Sequence, residues 1–251
     1  MIGKRILAAV LAAGLAAWGG AAHAAQTNVA VAANFTEAAK EIAAAFKQKT
    51  GHEAVLSFGS SGQLYTQITQ AAPFQIMLSA DDERPKKLVA DGLGLPESVF
   101  TYAVGKLVLW SRNADLVKGE DTLKHARFTK IAIANPKAAP YGAAAVETLK
   151  ALKLYETLEP KIVQGSNIGQ TFQFIDSGNA ELGFVALSQL AGQSAGSRWL
   201  VPQNLYTPIR QDAVLLKKAG DNEAATAFMT FLKGPEARSI IEKFGYAFSG
   251  S

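Results

Sequence analysis

Four short segments place small polar residues where an apolar run gives way to a helical pattern. They are Ala32-Ala33-Asn34-Phe35-Thr36, Phe58-Gly59-Ser60-Ser61-Gly62, residues 135–142, and Gly165-Ser166-Asn167-Ile168-Gly169. The first turn of a helix carries N–H groups without intrahelical acceptors and the positive end of the helix dipole. Such a start suits an anion. Any one of these segments could be only a cap, with Asn34, Thr36 or Asn167 as the capping side chain. The Ser-rich turn is the least ordinary, because Gly59 and Gly62 permit close backbone approach and the two serines add hydroxyl donors. One grammar repeated four times points to a neutral, donor-rich cage beyond the carboxyl ends of strands.

Other chemistry finds no support. Gly192-Gln193-Ser194-Ala195-Gly196 has the spacing of a nucleophile elbow, which needs a strand before it and an acid and a histidine after it. No histidine follows His125, and the segment reads as a flexible loop. His52 and His125 lie far apart, and no metal-ligand spacing is present. Asp81-Asp82-Glu83 reads as helix-opening acid next to Pro85.

Positioning such loops requires alternating strands and helices. Strands are predicted at 28–32, 53–58, 74–79, 130–134, 161–164, 181–187 and 212–217, with a longer extended run at 102–111. Helices are predicted at 36–49, 63–71, 82–90, 143–152 and 169–176, with two more at the chain end split by Gly234-Pro235. Ala39, Ile42, Ala43 and Phe46 illustrate the helical spacing. This order predicts α/β layers around mainly parallel sheets. Two extended segments, 102–111 and 207–215, bracket a central block of domain size. A chain that crosses to a second domain and returns would leave them side by side as a hinge.

The 251-residue chain contains no cysteine, which excludes disulfides and thiolate metal sites. Its formal charge is +4, of which Lys4 and Arg5 supply two units, so no concentrated basic face for nucleic acid is expected. Lys4-Arg5, an apolar run from Ile6 to Trp18, and Ala22-His23-Ala24 follow the order of a secretory signal peptide cleaved after Ala24.

The ordered set of motifs resembles the periplasmic molybdate-binding proteins of ABC importers. Beyond the loops above, it includes Ser79-Ala80-Asp81, residues 100–110, Asn135-Pro136 with Pro140-Tyr141-Gly142, Gly183-Phe184-Val185-Ala186, and Phe231-Leu232-Lys233-Gly234-Pro235. The resemblance spans essentially the whole mature chain. It implies a type II periplasmic-binding-protein fold, two α/β domains joined by hinge strands, with domain I formed by residues 25–105 and 209–251 and domain II by 106–208. It implies dehydrated molybdate or tungstate held by Asn34, Ser61, Tyr141 and Ile168. Side-chain donors would come from Asn34 and Ser61, and backbone donors from Ser61, Tyr141 and Ile168. Some members add a tyrosine hydroxyl where this chain has Ala186, which leaves the replacement to Asn34 or Tyr141. The implied protein is a periplasmic monomer without cofactor or enzymatic activity that hands its oxyanion to the membrane permease of an ABC importer. Sulfate or another tetrahedral oxyanion is the alternative ligand. A secreted hydrolase is the alternative from a different class.

Overall fold

The computed structural model describes residues 24–248. The secretory-signal reading therefore lies, but for Ala24, outside the described residues. Strand β1 (Gln26–Ala32) leads through a single 3-10 turn into α1 (Thr36–Thr50), followed by β2 (Glu53–Gly59), α2 (Ser61–Thr69), β3 (Ile76–Leu78), α3 (Glu83–Ala90) and β4 (Phe100–Gly105). After Lys106 come β5 (Leu107–Ser111), α4 (Asp121–His125), β6 (Ile131–Ala134), α5 (Pro140–Ala151), α6 (Tyr155–Leu158), β7 (Ile162–Gly165), α7 (Ile168–Asp176), β8 (Leu182–Ala186) and β9 (Ser197–Leu200). The chain then returns through β10 (Ile209–Leu215) to α8 (Glu223–Lys233) and α9 (Pro235–Lys243).

The strands form two five-stranded sheets, ordered β2-β1-β3-β10-β4 and β7-β6-β8-β5-β9. Each is the centre of an α/β domain. The sheets are mixed, which corrects the expectation of mainly parallel pairing. β1 runs parallel to β2 and β3, whereas β10 is antiparallel to β3 and β4. β5 likewise lies antiparallel between β8 and β9. The reversal has a topological cause: β5 and β10 are the strands with which the chain arrives from the other domain. β4 and β10 pair side by side, with Ile209 opposite Gly105 where the chain crosses.

Local chemistry sets the element ends. Ala38, Ala39, Ile42 and Phe46 form the buried stripe of α1, and Gly51 stops that helix at φ 76°. Ser60 and Gln63 make a reciprocal capping box at α2. Asn167 caps α7 by accepting the Gln170 N–H, and Pro140 occupies the first position of α5. Asp81 accepts both the N–H and the guanidinium of Arg84, as the helix-opening reading of these acids predicts.

Glu181, entering β8, ties down the start of β6. Its carboxylate accepts the Thr129 N–H, the Thr129 hydroxyl and the Lys130 N–H at 2.6–3.0 Å. Partial burial acts to raise its pKa, but these bonds outweigh it and pull the group from 4.5 to about 2. A depressed folded-state pKa contributes stability that is complete above the unfolded value and lost as pH falls through the folded one. The stability gap between wild type and Glu181→Gln should therefore be constant above about pH 5 and shrink steadily towards pH 2. Urea midpoints across that range measure it, and a gap that does not change with pH would refute the assignment.

Candidate functional site

Asn34, Ser61, Tyr141 and Ile168 stand at four separate strand-to-helix junctions, and the fold brings all four to the wall of one cavity between the domains. Each is at most 4% exposed. The two domains contribute two each, Asn34 and Ser61 from the first and Tyr141 and Ile168 from the second. The remaining wall is alanine, glycine, proline and Ser60, with no charged side chain. The space is small, about 10 Å³ for the centre of a water-sized sphere, which holds roughly one water molecule.

Ser61, Tyr141 and Ile168 lie in the first turns of α2, α5 and α7, where intrahelical acceptors run out. Their backbone N–H groups have no acceptor among the described residues, while those of Ser60, Gly62 and Gly142 are satisfied. Ser60 and Asn167 accept the Gln63 and Gln170 N–H groups, so the caps are adjacent residues and the cavity residues are spared that task. The Ser61 hydroxyl oxygen accepts the Ala80 N–H at 2.9 Å. Its proton has no acceptor among the described residues and is free to be donated into the cavity.

Two glycines fix this geometry. A Cβ on Gly142 would lie 2.1 Å from the Ala134 carbonyl oxygen, so glycine lets the first turn of α5 rest on the end of β6. A Cβ on Gly105 would lie 2.0 Å from the Tyr141 hydroxyl, so glycine lets the end of β4 pass directly against that hydroxyl. Ala186 is fully buried in β8, and its N–H is taken by Gln189, whose amide nitrogen in turn donates to the Ile168 carbonyl.

Behind the cavity lies a buried polar network whose members sequence reading did not single out for this role. The Asn34 side-chain amide donates to Gln211 Oε1 at 2.9 Å and to the Tyr246 hydroxyl at 3.0 Å. Tyr102 also reaches Gln211 Oε1 at 3.1 Å, and Gln211 Nε2 donates to the Tyr141 hydroxyl at 3.2 Å. Ser188, from the second domain, donates to the Asn34 carbonyl and accepts from Tyr246. Burial raises the pKa of all three tyrosines, which keeps their hydroxyl protons in place. Gln211 lies between Arg210 and Asp212 in β10, so nothing in the sequence marks it as a buried partner.

The domains also touch at the cavity rim. Gly62 N–H donates to the Ala138 carbonyl at 2.9 Å, and Arg84, already paired with Asp81, donates to the Lys137 carbonyl at 3.1 Å. The rejected elbow residue Ser194 lies in an exposed loop remote from this wall. Among the described residues, no group of three or more histidines or acids could hold a metal ion.

Two α/β domains that enclose a neutral, donor-lined cavity beside a two-stranded hinge define a two-domain solute receptor. Residues 27–247 match the profile of the bacterial extracellular solute-binding proteins. The chain belongs to this family. It is 56% identical over 225 residues to the molybdate-binding protein ModA of Rhodobacter capsulatus, covering 90% of this chain and 89% of that protein. It is 51% identical over 244 residues to ModA of Azotobacter vinelandii, covering 96% of each. A solved structure of the Azotobacter vinelandii periplasmic molybdate-binding protein superposes with a TM-score of 0.86 at 42% identity, covering 88% of this chain and 99% of the other. The sulfate-binding protein SubI of Mycobacterium tuberculosis shares the fold at 14% identity, with a TM-score of 0.73, covering 89% of this chain and 86% of the other.

Proposed function

We propose that this chain captures molybdate between its two domains and delivers it to an ABC importer. The observation that carries the reading is the convergence of three unpaired helix-start N–H groups and one free hydroxyl proton on a neutral cavity. A dianion is costly to desolvate, and each of its oxygens needs donors. Hydrogen bonds to an ionised acceptor are about twice as strong as neutral ones. Helix starts therefore hold the anion without a buried lysine or arginine. The proposed ligand set is Asn34, Ser61, Tyr141 and Ile168, with Ser61 giving both N–H and hydroxyl.

The four wall residues are buried, so entry of the anion requires the rim bonds of Gly62 and Arg84 to part. The hinge for that motion is the β4–β10 pair, with the domain boundaries after Gly105 and before Ile209. Tungstate, with its similar size and charge, is the second expected ligand. The protein works in the periplasm as a monomer without cofactor or catalysis.

Calorimetry with molybdate, tungstate, sulfate and phosphate tests the reading. Molybdate and tungstate should bind at least a hundredfold more tightly than sulfate, a difference of about 2.7 kcal/mol, because the smaller ion cannot reach all the fixed donors at once. Phosphate should bind weakly, since its proton meets no carboxylate in the wall. Sulfate binding as tightly as molybdate would transfer the assignment to sulfate.

A further inference from the structure

The contact between the domains at the cavity rim is prepared from both sides. On the first domain, Arg84 stands in the first turn of α3 and is held by Asp81, which accepts its backbone N–H at 2.9 Å and pairs with its Nη1. Asp81 is itself fixed by the Ser79 hydroxyl at 3.2 Å. The side chains of Arg84 and Asp81 are only 21% and 13% exposed, so this pair is set into the surface rather than waving above it. One end of the guanidinium is committed to its own domain. The other nitrogen, Nη2, reaches the Lys137 carbonyl of the second domain at 3.1 Å. Gly62 donates to the next carbonyl, that of Ala138, at 2.9 Å.

The acceptors are held as firmly. The Asn135 side chain accepts the Lys137 N–H at 3.0 Å, and its carbonyl accepts the N–H groups of Ala138 and Ala139 at 3.1 and 2.8 Å. The turn 135–139 is therefore closed on itself and presents the Lys137 and Ala138 carbonyls to the first domain. It runs directly into Pro140 and Tyr141 at the start of α5. An anion that draws the Tyr141 N–H towards the first domain draws these carbonyls the same way. On the facing side, Gly62 follows Ser61 in the chain, and Arg84 is tied to Asp81 beside Ala80, which lines the cavity. Gly62 also follows β2, the edge of the first sheet opposite the hinge strand β4. A small rotation at the hinge opens the widest gap there.

We propose that Arg84 is a positioning residue that latches the closed cleft and thereby sets the rate at which the anion leaves. A hydrogen bond from a charged donor is stronger than a neutral one, and this one must break before the domains part. Capture into an open cleft precedes its formation, so its loss falls on dissociation and not on association. Asp81 offsets the charge of the guanidinium, and the acceptor is a backbone carbonyl. The latch therefore acts on any anion that closes the cleft and leaves the choice among anions to the cavity wall. Gly62 belongs to the same device. A Cβ there would lie 3.0 Å from the Ala138 Cα and 3.1 Å from its carbonyl oxygen, both on the opposite domain. This inference rests on the molybdate reading.

Release of radiolabelled molybdate from the preloaded mature chain into excess unlabelled molybdate measures the dissociation rate, and calorimetry supplies Kd. Arg84→Met keeps the stem and removes the donors. It should release molybdate about tenfold faster, the size of one hydrogen bond. Kd should rise by the same factor, so that the association rate, given by the ratio of the two, is unchanged. Gly62→Ala keeps the test independent of any damage to the start of α3. Alanine is favoured over glycine in a helix, and the backbone atoms that the new Cβ meets lie across the cleft. This variant should also release molybdate faster, while melting no lower than wild type without ligand. Either variant releasing at the wild-type rate, or a loss of affinity that lies in the association rate, would overturn the latch and leave the molybdate reading intact. Failure of the wild type to bind molybdate would instead overturn that reading.

Discussion

Gly142→Ala is expected to lower stability by about 1–3 kcal/mol or more, and to weaken molybdate binding by at least tenfold beyond that. The added Cβ would lie 2.1 Å from the Ala134 carbonyl oxygen, and its further close contacts are likewise to backbone atoms, at Ala134 and Asn135. No side-chain rotation relieves such a clash. The first turn of α5 must lift away from the end of β6, carrying the Tyr141 N–H with it. Thermal melts without ligand measure the first effect and calorimetry the second. A variant that melts and binds like wild type would show that α5 is not held at this contact.

Ser61→Ala is expected to weaken molybdate binding by about 1–3 kcal/mol, roughly 5- to 150-fold. The substitution removes the hydroxyl donor and also leaves the Ala80 N–H without its 2.9 Å acceptor, which places the effect towards the upper end. The backbone N–H of residue 61 remains, so binding survives. Ser60→Ala provides the contrast. Ser60 is the cap of α2, and its loss should cost about 1 kcal/mol of stability with a smaller change in affinity. Ser194→Ala, on the exposed loop, should change neither. If Ser61→Ala binds as wild type does, the cavity between α2, α5 and α7 is not where molybdate sits.

The loops that build the cavity were legible in the sequence because each is a local event: a strand ends, a small polar residue caps, a helix starts. Boundaries were less legible. The apolar spacing of Leu64 and Ile68 placed the α2 start at Gln63, whereas the capping box begins the helix at Ser61. The run 102–111 read as one strand, but the chain leaves one sheet at Gly105 and enters the other at Leu107. β9 escaped notice because Ser197-Arg198-Trp199-Leu200 is a short edge segment with no clear alternation. The stretch before it is a 3-10 turn at Leu187–Leu190. The network around Asn34 was not legible at all. Its partners lie 177 and 212 residues away, and no local pattern encodes which distant amide a buried amide will meet.

The place of β10 in the first sheet has a consequence for the order in which the molecule can be built. It lies inside the sheet, between β3 and β4, and β4 has no other strand neighbour. Yet β10 is synthesised only after the whole of β5 to β9. The inserted sheet is made from one continuous stretch and can close on itself as soon as that stretch is available. The first sheet cannot, because its interior gap is filled from near the chain's end. Pairings so distant in sequence pay a large loop-closure cost and form slowly. The N-terminal half therefore stays open until β10 has been made, well after the inserted domain can close.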